Sequence, residues 1–289
     1  MIETTELAYA KLNISLDVSA RRADGYHDMV MVMQTVSLSD EIRIQPNASG
    51  RVIASSNLPF IPRDERNLAV RAALRYLERI GKEGQGFRLD LRKNIPVGAG
   101  MAGGSSDAAA VLRGLNRMYD SPLSREQLEE LAASIGSDVA FCVSGGTALA
   151  KGRGEVLEPL PGIPACAFTI VKPEFSISTP DLFKRLDCCP PRSHPDTPGL
   201  LAAIEAGDLN ALCRRMYNVF EDVSDRRMRT IREIKSALLD QGALGAVMTG
   251  TGSAVFGLFE DAEAAARCCA KLKKEYGFAF VAESVGTLL

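Results

Sequence analysis

The chain has 289 residues, of which 46% are hydrophobic, 24% charged and 6% aromatic, with a formal net charge of −2. These fractions belong to a folded globular chain and exclude a disordered, collagenous or coiled-coil one, and the length suits one large domain or two of roughly 150 residues each. So small a charge excludes a protein built mainly to hold a nucleic-acid backbone, but it leaves room for small anions at a local site.

Leu12, Ile14, Leu16 and Val18 alternate with Lys11, Asn13, Ser15 and Asp17, the period-two pattern of a half-buried strand. Asp24-Gly25 marks a hairpin-type turn, and Met29–Met33 and Glu41–Ile44 continue as strands. A helix is expected from Asn67 to Ile80 with Gly81 as its C-cap, then a strand through Phe87, Leu89 and Leu91. The glycine-rich segment Pro96–Ser106 runs into a helix bearing Ala108, Val111, Leu112 and Leu115. Ser124 and Gln127 form a capping box for a helix ending near Gly136. Val139–Val143 and Thr147–Ala150 read as strands, and the Gly and Pro cluster from Gly152 to Pro164 marks a boundary. Beyond it come a strand at Phe168–Val171, a Pro-rich stretch Cys189–Pro198, and helices at Leu200–Glu205, Asp208–Phe220 and Arg226–Asp240. The ending is strand Ala246–Met248, a glycine loop, strand Ala254–Phe259, helix Ala262–Tyr276 and strand Phe278–Glu283. Hairpin-joined strands of this kind favour an antiparallel α+β sandwich over a doubly wound parallel sheet.

Seven cysteines, two adjacent pairs among them and no C-x-x-C spacing, support neither a disulfide framework nor a zinc site. Met1–Glu6 has no secretory pattern, and no apolar run approaches the roughly 20 residues of a membrane span. A reducing cytoplasm is the expected setting, with no membrane and no nucleic-acid partner.

The segment Pro96-Val-Gly98-Ala-Gly100-Met-Ala-Gly103-Gly104-Ser105-Ser106-Asp107 carries the strongest chemical signal. Glycines permit positive φ and let another group approach the backbone. A helix starting at their end offers unpaired N–H groups and partial positive charge, a phosphate site that needs no lysine. The run also fits a tight turn with Ser105, Ser106 or Asp107 as an ordinary N-cap. Gly98–Gly103 satisfies G-x-G-x-x-G, but an alternating strand ending in Lys93-Asn-Ile-Pro96 precedes it where a dinucleotide fold needs a continuous buried strand. A Walker loop needs Lys before its Ser/Thr, and Gly104 stands there instead.

Three single residues have two readings each. Lys11, beside Asn13, is by itself a solvated edge charge. Asp138, in Gly136-Ser-Asp-Val-Ala140, is a turn or cap residue or a base. His27 follows a turn with no second metal ligand nearby and is otherwise structural. Gly250 and Gly252, between two apolar strands, make a hairpin turn or a second backbone cradle closing over phosphates held by the first.

Taken in order, the strand with Lys11, the loop Pro96–Ser106 and the loop Gly250–Gly252 resemble the three signatures of the GHMP kinase superfamily, which includes galactokinase, homoserine kinase, mevalonate kinase and phosphomevalonate kinase. The resemblance runs nearly end to end and is weakest over Cys188–Pro198. Ala10-Lys11-Leu12-Asn13, Arg22-Ala-Asp-Gly-Tyr26-His27, Gly136-Ser-Asp138-Val and Lys172–Pro180 bring it nearest to the branch acting on 4-diphosphocytidyl-2-C-methyl-D-erythritol. That branch belongs to the non-mevalonate (MEP) route to isoprenoid precursors; a homoserine- or mevalonate-type kinase is the alternative.

The resemblance implies a two-lobed α+β fold. Residues 1–155 would form an ATP-binding, catalytic lobe related to the ribosomal protein S5 domain 2-like fold. Residues 156–289 would form a ferredoxin-like substrate lobe, the last strand being free to return to the first. ATP would phosphorylate the substrate's 2-hydroxyl with Mg²⁺ present. Asp138 would accept the hydroxyl proton, Lys11 would hold Asp138 and the reacting oxygens, and Asn13 would position the substrate. Pro96, Gly98, Gly100, Gly103, Gly104, Ser105 and Ser106 would wrap the ATP phosphates, with Asn67 near the base and Gly250 and Gly252 closing the site. Tyr26 and Phe183 would bracket the cytosine, His27 would bond its edge and Thr179 would touch the diphosphate. Met33 stands where some members carry an aromatic, so a thioether replaces a third ring on the base. The metal ligands stay unassigned beyond Ser105 or Ser106. The implied partners are small molecules, ATP and a cytidine diphosphate-linked polyol, with the protein a monomer or weak homodimer.

Overall fold

Two long strands organise the first half of the chain: β1 (Thr4–Arg21) and β2 (His27–Asn47), antiparallel from Thr4 opposite Ile44 to Arg21 opposite His27. Asp24-Gly25 makes the expected turn between them, with Gly25 at φ 85°. The computed structural model describes residues 2–289 apart from 190, 192 and 224. Met1 and part of the Pro-rich stretch 189–198 therefore lie outside the described residues.

The chain continues through β3 (Val52–Ser56), α1 (Leu68–Arg79), β4 (Gly86–Arg92), α2 (Gly103–Met118), α3 (Arg125–Ile135), α4 (Ser137–Ser144), β5 (Thr147–Gly152) and β6 (Val156–Leu160). Then come β7 (Ala167–Lys172), α5 (Thr179–Cys188), α6 (Thr197–Glu205), α7 (Leu209–Cys213), β8 (Tyr217–Asn218) and α8 (Arg227–Asp240). The last elements are β9 (Gly245–Met248), β10 (Val255–Phe259), α9 (Ala262–Tyr276) and β11 (Phe278–Glu283).

The first sheet runs β3-β4-β2-β1-β8, and β5 pairs with the early part of β2 and carries β6. Its length lets β2 serve two neighbours: residues 41–47 pair with β4 and residues 29–34 with β5. Helix α2 packs on β1 and β2, flanked by α1 and α4. The second sheet, β11-β7-β10-β9, is antiparallel at every pair, as the hairpin-rich ending predicts. Helices α8 and α9 pack against it. One apolar cluster joins the sheets, setting Leu12, Ile14 and Val32 against Phe168, Ile170 and Phe256. Burying such side chains is worth roughly 1.5–3 kcal/mol each, and this shared core fixes β1 relative to the second sheet.

Three expectations are corrected. Val139–Val143 is helical, within α4, not a strand. All of residues 139–144 are buried, and a segment buried on every side shows neither period. Gly145, at φ 65°, ends it. The helix expected over Asp208–Phe220 is confined to α7; β8 then pairs in parallel with Ser15 and Leu16, and a 3-10 turn covers Val219–Asp222. The polar side of β1 is not solvated, because Lys11, Asn13 and Ser15 are all buried.

Candidate active site

The glycine-rich loop is pinned from below by charge. Lys93, just past β4, donates to Asp107 Oδ2 at 2.6 Å, to the Gly103 carbonyl at 3.2 Å and to Asp40. Asp40 Oδ1 accepts the N–H groups of Asn94 at 2.5 Å and Ile95 at 2.8 Å. Burial of two carboxylates against one ammonium pushes Asp107 up to about 8. Above this anchor the chain turns through Gly98 (φ 66°) and Gly100 (φ 78°), then enters α2 from Ala102, itself at φ 58°.

Ala102 is the N-cap residue and supplies no side-chain hydrogen bond, so the serines and Asp107 are not the cap. The first N–H groups of α2 therefore have no side-chain acceptor and carry the positive end of its dipole. Ser106 is withdrawn from the space they face: it is buried and donates to the Tyr9 carbonyl at 2.7 Å. Its expected role at the phosphates is thus not supported by its placement, and Ser105 is the serine that lines the cleft.

Two cavities meet at this loop. One, of about 370 Å³, runs from Asn67 and Pro96 to Gly103, Gly104 and Ser105. The other, of about 380 Å³, holds Lys11, Asp138, Thr179 and Phe183. Gly98, Gly100, Ala102 and Ser105 line both. Asn67 also caps α1, accepting from Ala69 N–H at 3.0 Å and donating to the Pro62 carbonyl at 2.9 Å.

The second cavity contains the charged pair. Helix α4 places Asp138 in its first turn. Asp138 Oδ2 lies 3.8 Å from Lys11 Nζ, with the side chains 33% and 5% exposed. Lys11 Nζ donates to Asn13 Oδ1 at 2.6 Å, so the lysine is a buried member of a network and not an edge charge. Bulges in β1 on either side, between Tyr9 and Lys11 and between Asn13 and Ser15, re-aim these side chains. Lys11 N–H reaches the Met101 carbonyl of the glycine loop at 3.3 Å. Asn13 N–H donates to Thr249 Oγ1 at 3.0 Å, tying β1 to the far end of the chain.

The Gly250–Gly252 segment is more than a hairpin turn. A Cβ on Gly250 would lie 2.8 Å from the Gly100 oxygen, and one on Gly100 would lie 2.3 Å from the Thr249 oxygen. The two loops touch backbone to backbone, and Ala254 N–H bonds the Ala99 carbonyl at 3.1 Å. Asn218 Nδ2 donates to the carbonyls of Met248 at 2.7 Å and Gly250 at 2.8 Å, fixing the second loop. Thr251 and Thr179 share a hydrogen bond between hydroxyls at 2.8 Å, which brings in α5.

Phe183 also lines this cavity, and the His27 ring stacks on it with centroids 4.9 Å apart. The edge of Phe183 meets Phe220 at 5.0 Å. His27 Nε2 lies 2.7 Å from Asp187 Oδ1. Tyr26 remains 57% exposed, with the Arg153 guanidinium 4.9 Å from its ring centroid. Met33 is fully buried in the core and does not reach the cleft; Met29 and Met31, four and two residues earlier, line it instead. Their shared parity on β2 was the available signal, but parity does not say how far along a strand a cleft extends. Thr249, Arg153 and Asp187 also belong to the site without having been anticipated. Each acts through a partner far away in sequence, and no local pattern marks them.

No helix among the described residues is long and apolar enough to cross a membrane. The model of the GHMP kinases N terminal domain matches residues 67–146, and that of the GHMP kinases C terminal region matches residues 200–277. A 4-diphosphocytidyl-2-C-methyl-D-erythritol kinase of Clostridium botulinum (strain Loch Maree / Type A3) is 42% identical over 278 residues, covering 96% of this chain and 99% of the relative. Another, of Syntrophomonas wolfei, is 45% identical over 277 residues, with 96% of each chain covered. A crystal structure of 4-(cytidine 5'-diphospho)-2C-methyl-D-erythritol kinase superposes with a TM-score of 0.82 at 33% identity, covering 98% of this chain and 100% of that one. A homoserine kinase from Cytophaga hutchinsonii, 24% identical, shares the fold with a TM-score of 0.77 over 99% of this chain and 95% of its own. With both family models matched in order around one cleft and relatives similar along their whole length, the chain belongs to the GHMP kinases.

Proposed function

We propose that this chain is a 4-diphosphocytidyl-2-C-methyl-D-erythritol kinase, transferring the γ-phosphoryl group of ATP to the 2-hydroxyl of that alcohol in the MEP pathway. The observation that carries this reading is one cavity lined both by the Lys11–Asp138 pair and by Phe183, on which the His27 ring stacks. It shares the glycine-loop wall with a second cavity of about 370 Å³, which the first turn of α2 lines. A homoserine or mevalonate kinase of the same fold has no use for the stacked rings, since a small acid offers no flat ring to hold.

In this reading residues 1–155 carry the ATP site and the charged pair, and residues 156–289 supply Thr179, Phe183 and the Gly250–Gly252 loop. ATP phosphates lie on the uncapped N–H groups of α2, with Pro96 and Asn67 toward the base. The substrate hydroxyl is bound between Asp138, which takes its proton, and Lys11, which neutralises charge developing on the transferring oxygens. Asn13, expected to position the substrate, is fully buried and outside the cavity lining, and it acts instead by keeping the Lys11 ammonium in place. The cytosine sits against Phe183 and Tyr26 with His27 at its edge, and Thr179 meets the diphosphate. Among the described residues no three His, Cys, Asp or Glu side chains form a metal cage. The Ser105 hydroxyl, which lines both cavities, would hold Mg²⁺ together with phosphate oxygens, and the ion would neutralise phosphate charge. A cytoplasmic setting and a monomer or weak homodimer complete the proposal.

A coupled kinase assay over the cytidyl substrate, homoserine and mevalonate tests the reading. Turnover of the cytidyl substrate alone is expected; turnover of a small acid with the cytidyl substrate untouched would overturn it. Asp138→Ala is expected to lower kcat by roughly a hundred- to ten-thousandfold with ATP binding retained, and near-normal turnover would remove Asp138 from the mechanism.

A further inference from the structure

A diphosphate joining a nucleoside to a polyol is the most strongly charged part of the proposed substrate, and the roles above give it only the Thr179 hydroxyl. Among the residues lining the substrate cavity, the cations are Lys11 and Arg153. Lys11 is engaged by Asn13 and Asp138 at the reacting end. Arg153 is differently placed. It follows β5, with its guanidinium over Tyr26 at 4.9 Å from the ring centroid. The adjoining Gly154 stands where a Cβ would lie 4.0 Å from Asp138 Oδ1 and 3.7 Å from the Ser137 Cβ. Arg153 thus bridges the two: its chain neighbour lies beside Asp138 while its guanidinium lies over Tyr26, the span that a diphosphate linking the base to the reacting hydroxyl would cross.

Its donors are available. Among the described residues the guanidinium forms an ion pair with Glu155, at 4.0 Å from Nε and too long for a hydrogen bond, and it acts on Asp24 through charge alone. Glu155 is itself held by the Arg153 backbone N–H at 2.6 Å. A guanidinium resting over an aromatic face keeps its N–H groups at the edge, where they match phosphate oxygens in pairs. From this geometry we infer that Arg153 is the specificity-determining cation that holds the substrate diphosphate. The inference rests on the proposed substrate. It adds a second consequence: the same side chain steadies Tyr26, so that phosphate binding and base stacking are coupled through one residue.

The test compares cytidine with CDP, which differ by the diphosphate alone, as ligands of the wild type, Arg153→Ala and Arg153→Lys in calorimetry, with steady-state kinetics alongside. Arg153→Ala is expected to weaken CDP about 10- to 100-fold while cytidine changes less than about threefold, the scale of charged hydrogen bonds lost. KM for the cytidyl substrate should rise in step with CDP, with kcat and KM for ATP nearly unchanged. Arg153→Lys should restore part of the CDP affinity, since the charge returns without the planar fork. Equal losses for cytidine and CDP would overturn the inference, because Arg153 would then act only through Tyr26. Unchanged binding of both, in a wild type that phosphorylates the cytidyl substrate, would overturn it and leave the functional reading standing. A folded wild type that binds neither ligand and does not phosphorylate the cytidyl substrate would overturn the functional reading itself.

Discussion

Replacing Gly100 by alanine tests the contact between the two glycine loops. At φ 78° an L side chain costs roughly 1–2 kcal/mol. The added Cβ would also meet the Thr249 oxygen at 2.3 Å, and the nitrogen and oxygen of Gly252 at 3.1 and 3.2 Å. All three are backbone atoms, so no side chain can swing away, and the loops must part by about 1 Å at an overpacking cost of roughly 1–3 kcal/mol. Together these terms predict a loss of about 2–5 kcal/mol and, for a chain of 289 residues, a fall in Tm of about 3–8 °C. A displacement of that size at the phosphates should slow turnover about a hundredfold. Gly104→Ala is the internal control: it has ordinary helical φ, its Cβ meets nothing nearer than Leu68 Cδ1 at 3.7 Å, and alanine in a helix gains roughly 0.5–1 kcal/mol. Its Tm should hold or rise while KM for ATP increases, because the methyl enters the ATP cavity. Differential scanning fluorimetry and a coupled assay on both variants give the answer. A Gly100→Ala protein that melts and turns over like the wild type would refute the argument that these loops fix each other.

The two serines separate stability from chemistry. Ser106→Ala should lower stability by about 1 kcal/mol through loss of its bond to Tyr9, whereas Ser105→Ala should leave Tm unchanged and raise KM for Mg-ATP. Acid sensitivity has a source near α8: the Arg227 guanidinium hydrogen-bonds Asp225 at 2.7 and 2.9 Å and lowers its pKa to about 2. Because the folded value lies below the unfolded 3.8, this stabilisation is present above about pH 4 and is lost as pH falls toward 2. Urea titrations of Asp225→Asn should therefore show a deficit of about 1–2 kcal/mol at pH 7 that shrinks toward zero near pH 2. A deficit independent of pH would mean that shape, not charge, makes the contact.

Much of the cleft was legible because its key positions lie in short patterned segments. Lys11 and Asn13 share strand parity, and the Pro96–Ser106 run announces a backbone cradle. What the sequence left open is what long-range packing decides. Lys11 looked like an edge charge because the groups that bury it come from α4, the glycine loop and, through Asn13, Thr249. Helix α4 looked like a strand because burial on every side erased its period. Ser105 and Ser106 are adjacent and chemically identical, and only the rotation of α2 turns one to the cleft and the other to Tyr9. Met33 and Met31 differ in the same way, by position along β2 relative to the edge of the core.

The contacts of Gly100 with Thr249 and Gly252, of Asn13 with Thr249, and of Ala254 with Ala99 join segments about 150 or more positions apart. During synthesis the phosphate loop leaves the ribosome long before the segment that buttresses it. Until β9 and β10 arrive, Gly100 faces water and Asn13 lacks its threonine. A nascent or truncated chain ending before Thr249 would thus carry every charged residue of the cleft and still have no rigid seat for a nucleotide. A complete seat for a nucleotide is therefore expected of the finished molecule and of no piece that stops short of β9.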